Sequence, residues 1–94
     1  MTLHTIEAEV LGVISGGYRL KVSVLDIGMY ILGFTARRSE KLSSGWWIQP
    51  PAIHTNGKWK YTAEFDKSKS LWPEIESACI HAVALQDNVD TMLN

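Results

Sequence analysis

Gly45-Trp46-Trp47-Ile48-Gln49-Pro50-Pro51-Ala52-Ile53-His54-Thr55-Asn56-Gly57-Lys58-Trp59-Lys60-Tyr61-Thr62-Ala63-Glu64-Phe65 decides how this chain folds. Both central residues of a two-residue hairpin turn need a positive φ, and Asn-Gly between alternating apolar runs meets that need most directly. The stretch therefore reads as a long aromatic β-hairpin. Proline donates no ladder hydrogen bond, so Pro50-Pro51 marks a bulge or a sheet edge in the first arm.

Closing the turn at Asn56-Gly57 pairs Thr55 with Lys58, His54 with Trp59, Ala52 with Tyr61 and Pro50 with Ala63. Continuous alternation through the prolines puts Trp46, Ile48, Ala52, Trp59, Tyr61, Ala63 and Phe65 on one face, aromatic enough to be a core. Trp47, Gln49, Ile53, Thr55, Lys58, Lys60, Thr62 and Glu64 fall on the other. A one-residue slip at Pro50-Pro51 would swap the faces of the first arm.

Upstream, Ile6, Ala8, Val10 and Ile14 with Glu7 and Glu9 between them read as a first strand. Ser15-Gly16-Gly17 is a turn. Tyr18, Leu20, Val22 and Val24 alternate with Arg19, Lys21 and Ser23, a second strand with a charged outer side. Asp26-Ile27-Gly28 turns the chain into a third strand, Met29 to Thr35, apolar on both sides and ambiguous in facing. Arg37 to Ser44 is polar and reads as a loop.

Downstream, Ser68 and Ser70 offer N-caps, Pro73 suits a first helical turn, and Glu74 and Glu76 suit the positive helix end. Leu71, Ile75, Ala78, Cys79, Ala82 and Val83 recur at helical spacing, predicting one amphipathic helix over about 71–85, with 86–94 continuing or fraying. The expected fold class is α+β: one domain over 1–94, an antiparallel sheet of four to five strands over about 5–65, and one C-terminal helix on one face.

Hydrophobic residues make up 46% of the chain, high for a small domain with much surface, and a second apolar face buried in a homodimer would account for it. The net charge of −1 hides an uneven distribution. Residues 19–60 carry seven cations against Asp26 and Glu40, a balance of +5, and the remainder carries a balance of −6. A basic middle between acidic ends permits a positive face on a near-neutral protein. A single cysteine, Cys79, and no leader pattern at Met1–Val10 point to a reducing, cytoplasmic compartment, and no apolar run reaches the length of a membrane span.

No catalytic motif stands out. His4, His54 and His81 lack metal-ligand spacing, Cys79 falls on the apolar stripe, and Ser15-Gly16-Gly17 is too short for a phosphate loop. Neither metal nor cofactor is expected, nor an enzyme. Aromatics interleaved with cations on an exposed sheet suit single-stranded nucleic acid, where bases stack and cations meet phosphates. The candidate nucleic-acid contacts are Arg19, Lys21, Arg37, Arg38, Lys41, Lys58 and Lys60. Trp47, Ile53 and His54 are candidates for stacking or for a dimer seam. The competing reading puts Trp47 in that seam and leaves the lysines as solvated strand edges.

Ser44-Gly45-Trp46-Trp47-Ile48-Gln49-Pro50-Pro51, then Asn56-Gly57-Lys58-Trp59, the Phe65-Asp66 strand end and a helix with Ile75, Ala78 and Val83 together resemble the SpoVG (septation regulator) family of small bacterial nucleic-acid-binding proteins. The resemblance covers about residues 5–85. It implies an antiparallel sheet with a C-terminal helix, a homodimer, and binding of DNA or RNA in gene regulation. Where that family carries basic residues after its proline step, this chain has Ala52, Ile53 and His54, and Pro51 replaces a small polar residue. Lys58, Lys60, Arg37, Arg38 and Lys41 are the substitutes within reach. The alternative function is an interaction module, docking on another protein through the aromatic hairpin or a sheet edge, as a small inhibitor from a mobile element would.

Overall fold

A computed structural model describes residues 4–93. Six strands and one helix follow in the order β1 (Ile6–Ile14), β2 (Gly17–Val24), a single 3-10 turn (Leu25–Ile27), β3 (Met29–Arg38), β4 (Trp46–Gln49), β5 (Ala52–Thr55), β6 (Lys58–Tyr61) and α1 (Leu71–Leu93). The fold class is α+β. Strands β1-β2-β3-β4 form one antiparallel sheet in that order, and β5-β6 form a second sheet of two strands.

The long hairpin expected from the sequence is therefore divided. Pro50 and Pro51 donate no ladder bonds, so the chain leaves the main sheet after Gln49 and starts a new pair at Ala52. The turn itself is as expected: Asn56 and Gly57 have φ of 51° and 76°, and Ala52 pairs with Tyr61, Ile53 with Lys60, His54 with Trp59 and Thr55 with Lys58. The proposed pairing of Pro50 with Ala63 does not form; instead the Thr62 N–H donates to the Pro51 carbonyl at 2.8 Å.

The core lies between the main sheet and α1. Leu20, Val22, Phe34, Ala36, Trp46 and Ile48 point inward from the sheet and meet Trp72, Ile75, Cys79 and Val83. Each of the larger aliphatic and aromatic side chains among them contributes roughly 1.5–3 kcal/mol through the water-exposed area it loses. Phe65 extends the core by packing against Phe34 and Trp72 at ring separations of 5.9 and 5.5 Å.

The ambiguity of β3 has a physical origin. Leu20 pairs with Phe34, but Lys21 pairs with Leu32, so Gly33 is an extra residue, with φ of 95°. This bulge switches parity along the strand. Ile31 and Phe34 both face the helix, while Tyr30, Leu32, Thr35 and Arg37 face away. The strand also runs to Arg38 rather than stopping at Thr35, so Arg37 and Arg38 are strand residues and not part of a loop. Since β4 pairs only with Thr35–Arg38, the Met29–Leu32 end of β3 keeps an open edge.

The helix is longer than its apolar stripe. Trp72, Ile75, Cys79 and Val83 are buried at 3–4 residue spacing, and the same stripe continues through half-buried Gln86, Asp87 and Asp90. These polar groups meet polar partners. The Tyr18 hydroxyl donates to Asp90 Oδ2 at 2.7 Å, Gln86 Nε2 donates to Asp90 Oδ1 at 3.0 Å, and Arg38 pairs with Asp87.

Candidate nucleic-acid interface

The face of the sheet turned away from α1 carries the side chains that interrupt the apolar alternation of β2, β3 and β4. Cross-strand neighbours there run Arg19–Thr35–Gln49 and Gly17–Arg37–Trp47, with Glu9–Lys21–Leu32 beside them. Arg19 and Arg37 are exposed, and Trp47 is 48% exposed. Trp46 lies on the opposite face, buried against Tyr18 at a ring separation of 5.9 Å. The sequence reading that puts Trp46 inside and Trp47 outside thus holds for β4.

It does not hold across the prolines. Trp59 and Tyr61, expected in the core with Trp46, are 70% and 49% exposed. The break at Pro50-Pro51 reverses the facing of the hairpin relative to β4. Ala52 and Trp59 therefore come to the same side as Trp47. Together with Arg19, Gly33, Thr35, Arg37, Gln49 and Pro50 they line a groove of about 560 Å³ between the sheet and the small hairpin. Gly33 lets the hairpin base approach closely, because a Cβ there would sit 3.2 Å from Pro51 Cβ.

No carboxylate lines this groove. Among the described residues the ion pairs are His4–Asp26 and Arg38–Asp87, so Arg19 and Arg37 keep their charge uncompensated. Arg37 is held in place by a bond from Nη1 to the Ser15 carbonyl at 2.9 Å, which leaves its other donors available. Lys21 sits on the same face with Nζ 5.2 Å from the Tyr30 ring centre.

The other sequence candidates lie elsewhere. Arg38 points to the helix side, where it binds Asp87 and stacks its guanidinium over Trp46 at 5.0 Å and Tyr18 at 5.7 Å. The pair Arg37-Arg38 therefore does not act as a pair, as adjacent strand residues face opposite ways. Lys41 is exposed on the loop between β3 and β4. Lys58, Lys60 and Ile53 occupy the hairpin face opposite Trp59, away from the groove. His54 is exposed and packs its ring against Trp59 at 5.2 Å. Thr35, Gln49 and Trp59 are groove residues that the sequence reading leaves out of the candidate list. Alternation with Arg37 and Trp47 is the signal for Thr35 and Gln49, and the face swap at Pro50-Pro51 is the signal for Trp59.

A larger groove, of about 870 Å³, runs between β1 and α1 and is lined by His4, Glu7, Glu74 and His81 among apolar groups. Its carboxylates make it unsuited to a polyanion. The Cys79 thiol lies fully buried beneath the helix, and burial, with the nearby Glu76 carboxylate, pushes its pKa up to about 12. It is a packing group with no access to a reaction partner. Among the described residues no cluster of histidine, cysteine and carboxylate groups could hold a metal ion, and no helix is long and apolar enough to cross a membrane. The chain matches no family model, no curated protein and no solved structure.

Proposed function

We propose that this chain is a small, dimeric, regulatory nucleic-acid-binding protein of the cytoplasm, a binder and not an enzyme. The observation that carries the reading is the groove in which Arg19, Arg37, Trp47 and Trp59 meet without a carboxylate. Exposed indoles offer surfaces on which bases stack, and guanidiniums free of carboxylate partners offer donors to phosphates. Lys21 lies further along the same face, opposite Glu9. The resemblance to the SpoVG family supports the same reading.

A free strand edge supports the dimer. Strand β1 pairs on one side only, and beside it the late turns of α1 expose Leu85 and Val89, which gives a second copy both backbone groups and apolar surface.

The test is a fluorescence-anisotropy titration of labelled DNA and RNA at low and near-physiological salt, with light scattering to read the oligomer. Micromolar or tighter binding that weakens with salt and is lost in Arg19→Ala/Arg37→Ala supports the proposal. Absence of binding at low salt refutes it. A second reading, docking on a protein, is favoured by one feature: the open Met29–Leu32 edge, where Tyr30 and Leu32 are more than half exposed and a partner strand could add.

A further inference from the structure

We infer that the groove takes a single unpaired nucleotide of a single strand, so that the protein selects single-stranded nucleic acid over duplex. The inference rests on the nucleic-acid reading above and names the form of the ligand.

The argument starts from what faces what. Trp47 forms part of the floor on β4 and Trp59 part of the wall on β6, so two exposed indoles from separate sheets border one cavity. A cavity of about 560 Å³ is within the range, roughly 300–1,000 Å³, of sites that enclose small ligands. A flat ring entering between floor and wall meets aromatic surface, and stacking of that kind is open only to a base whose faces are exposed. In a duplex both faces are covered by neighbouring base pairs, and extruding a base costs the unstacking energy.

Polar groups are placed to match. Thr35 and Gln49 are cross-strand neighbours at the floor, and both offer donors and acceptors to a base edge. Arg19 and Arg37 lie on the same face, free of any carboxylate partner and with donors left over for a phosphate. An exposed base, its edge and its phosphate are thus each met by a different set of side chains. An acidic peptide would satisfy the arginines but leave the two indoles without a planar partner.

The experiment is a titration of the protein's tryptophan emission. Trp46 and Trp72 are buried, so a change in emission reports chiefly on Trp47 and Trp59. Three probes are compared at low salt: a short single-stranded DNA, an abasic strand of the same length, and the corresponding duplex. The single strand should quench the emission and bind about tenfold more tightly than the other two, in line with the worth of one stacked base. Trp47→Ala should remove that preference and Trp47→Phe should retain most of it, both keeping the salt dependence. Equal binding of the three probes would overturn the inference while leaving the nucleic-acid reading intact. No binding of any probe would overturn both.

Discussion

Two residues show how tightly single positions are constrained. Gly17 lies opposite Arg37 in the ladder, and a Cβ placed on it would lie 1.8 Å from the Ala36 carbonyl oxygen. The obstacle is backbone in a central strand pair, so it cannot swing aside. Gly17→Ala should cost about 3 kcal/mol, measured by urea denaturation, as overpacking of a rigid site does. The sequence shows Ser15-Gly16-Gly17 as a turn but not that its glycines are needed for different reasons: Gly16 has open space around it and a φ of 77°, whereas Gly17 has no room for a Cβ. Cys79 is the opposite case, where alternation at helical spacing is enough to call a core residue. Its thiol should resist alkylation in the native protein and react once the chain is unfolded, a difference that mass spectrometry after iodoacetamide treatment will show.

At the scale of elements, what is legible in the sequence is local. Strands β1 and β2, the Asn56-Gly57 turn and the start of α1 follow from periodicity and turn chemistry. The errors arise where a local rule meets a tertiary one. The bulge at Gly33 makes β3 look two-faced, and the prolines send one aromatic run into two sheets. The sequence leaves the helix end past Leu85 undecided because the stripe turns polar just where Tyr18 and Arg38 supply polar partners. That polar end should respond to pH in both directions. The Asp90 carboxyl is held below its ordinary value by hydrogen bonds from Tyr18 and then Gln86. Its contribution is complete above the ordinary carboxylate pKa and is lost as pH falls through the lowered value. The Tyr18 hydroxyl is raised, first by its bond to Asp90 and then by burial. Its contribution is complete below the ordinary tyrosine pKa and is lost as pH climbs through the raised one. Amide protection over the last turns of α1 should therefore be flat near neutrality and fall at both extremes. Tyr18→Phe should lower the plateau and flatten both limbs; unchanged protection in that variant would show that the apolar stripe alone holds the helix end.

For the whole molecule, charge position outweighs charge total. The sequence count of +5 over residues 19–60 overstates the positive face. Arg38 is spent on Asp87, Lys58 and Lys60 turn the other way, and Lys41 sits on the loop between β3 and β4, outside the groove lining. Three cations remain on the outer face: Arg19, Lys21 and Arg37. If each meets one phosphate, the logarithm of the affinity for a single strand should fall against the logarithm of salt with a slope of about −2 per subunit. A slope twice as steep would mean that Lys41, Lys58 and Lys60 take part and that the footprint is wider than the groove. The candidate site was only half legible because Trp47, Arg19 and Arg37 are exposed by simple alternation. Trp59 arrives only through the face reversal at Pro50-Pro51, where the sequence marks a possible slip without deciding it.

The division of the chain at Pro50-Pro51 also gives the two walls of the groove different thermal fates. The floor belongs to a sheet fastened to the helix by the whole core, whereas β5 and β6 pack chiefly on each other. A lone two-stranded hairpin is marginal in water, and such units open locally well before the global transition. Warming should therefore silence the molecule before it melts: Trp59 loosens and the pocket loses a wall while the circular dichroism of α1 is still native.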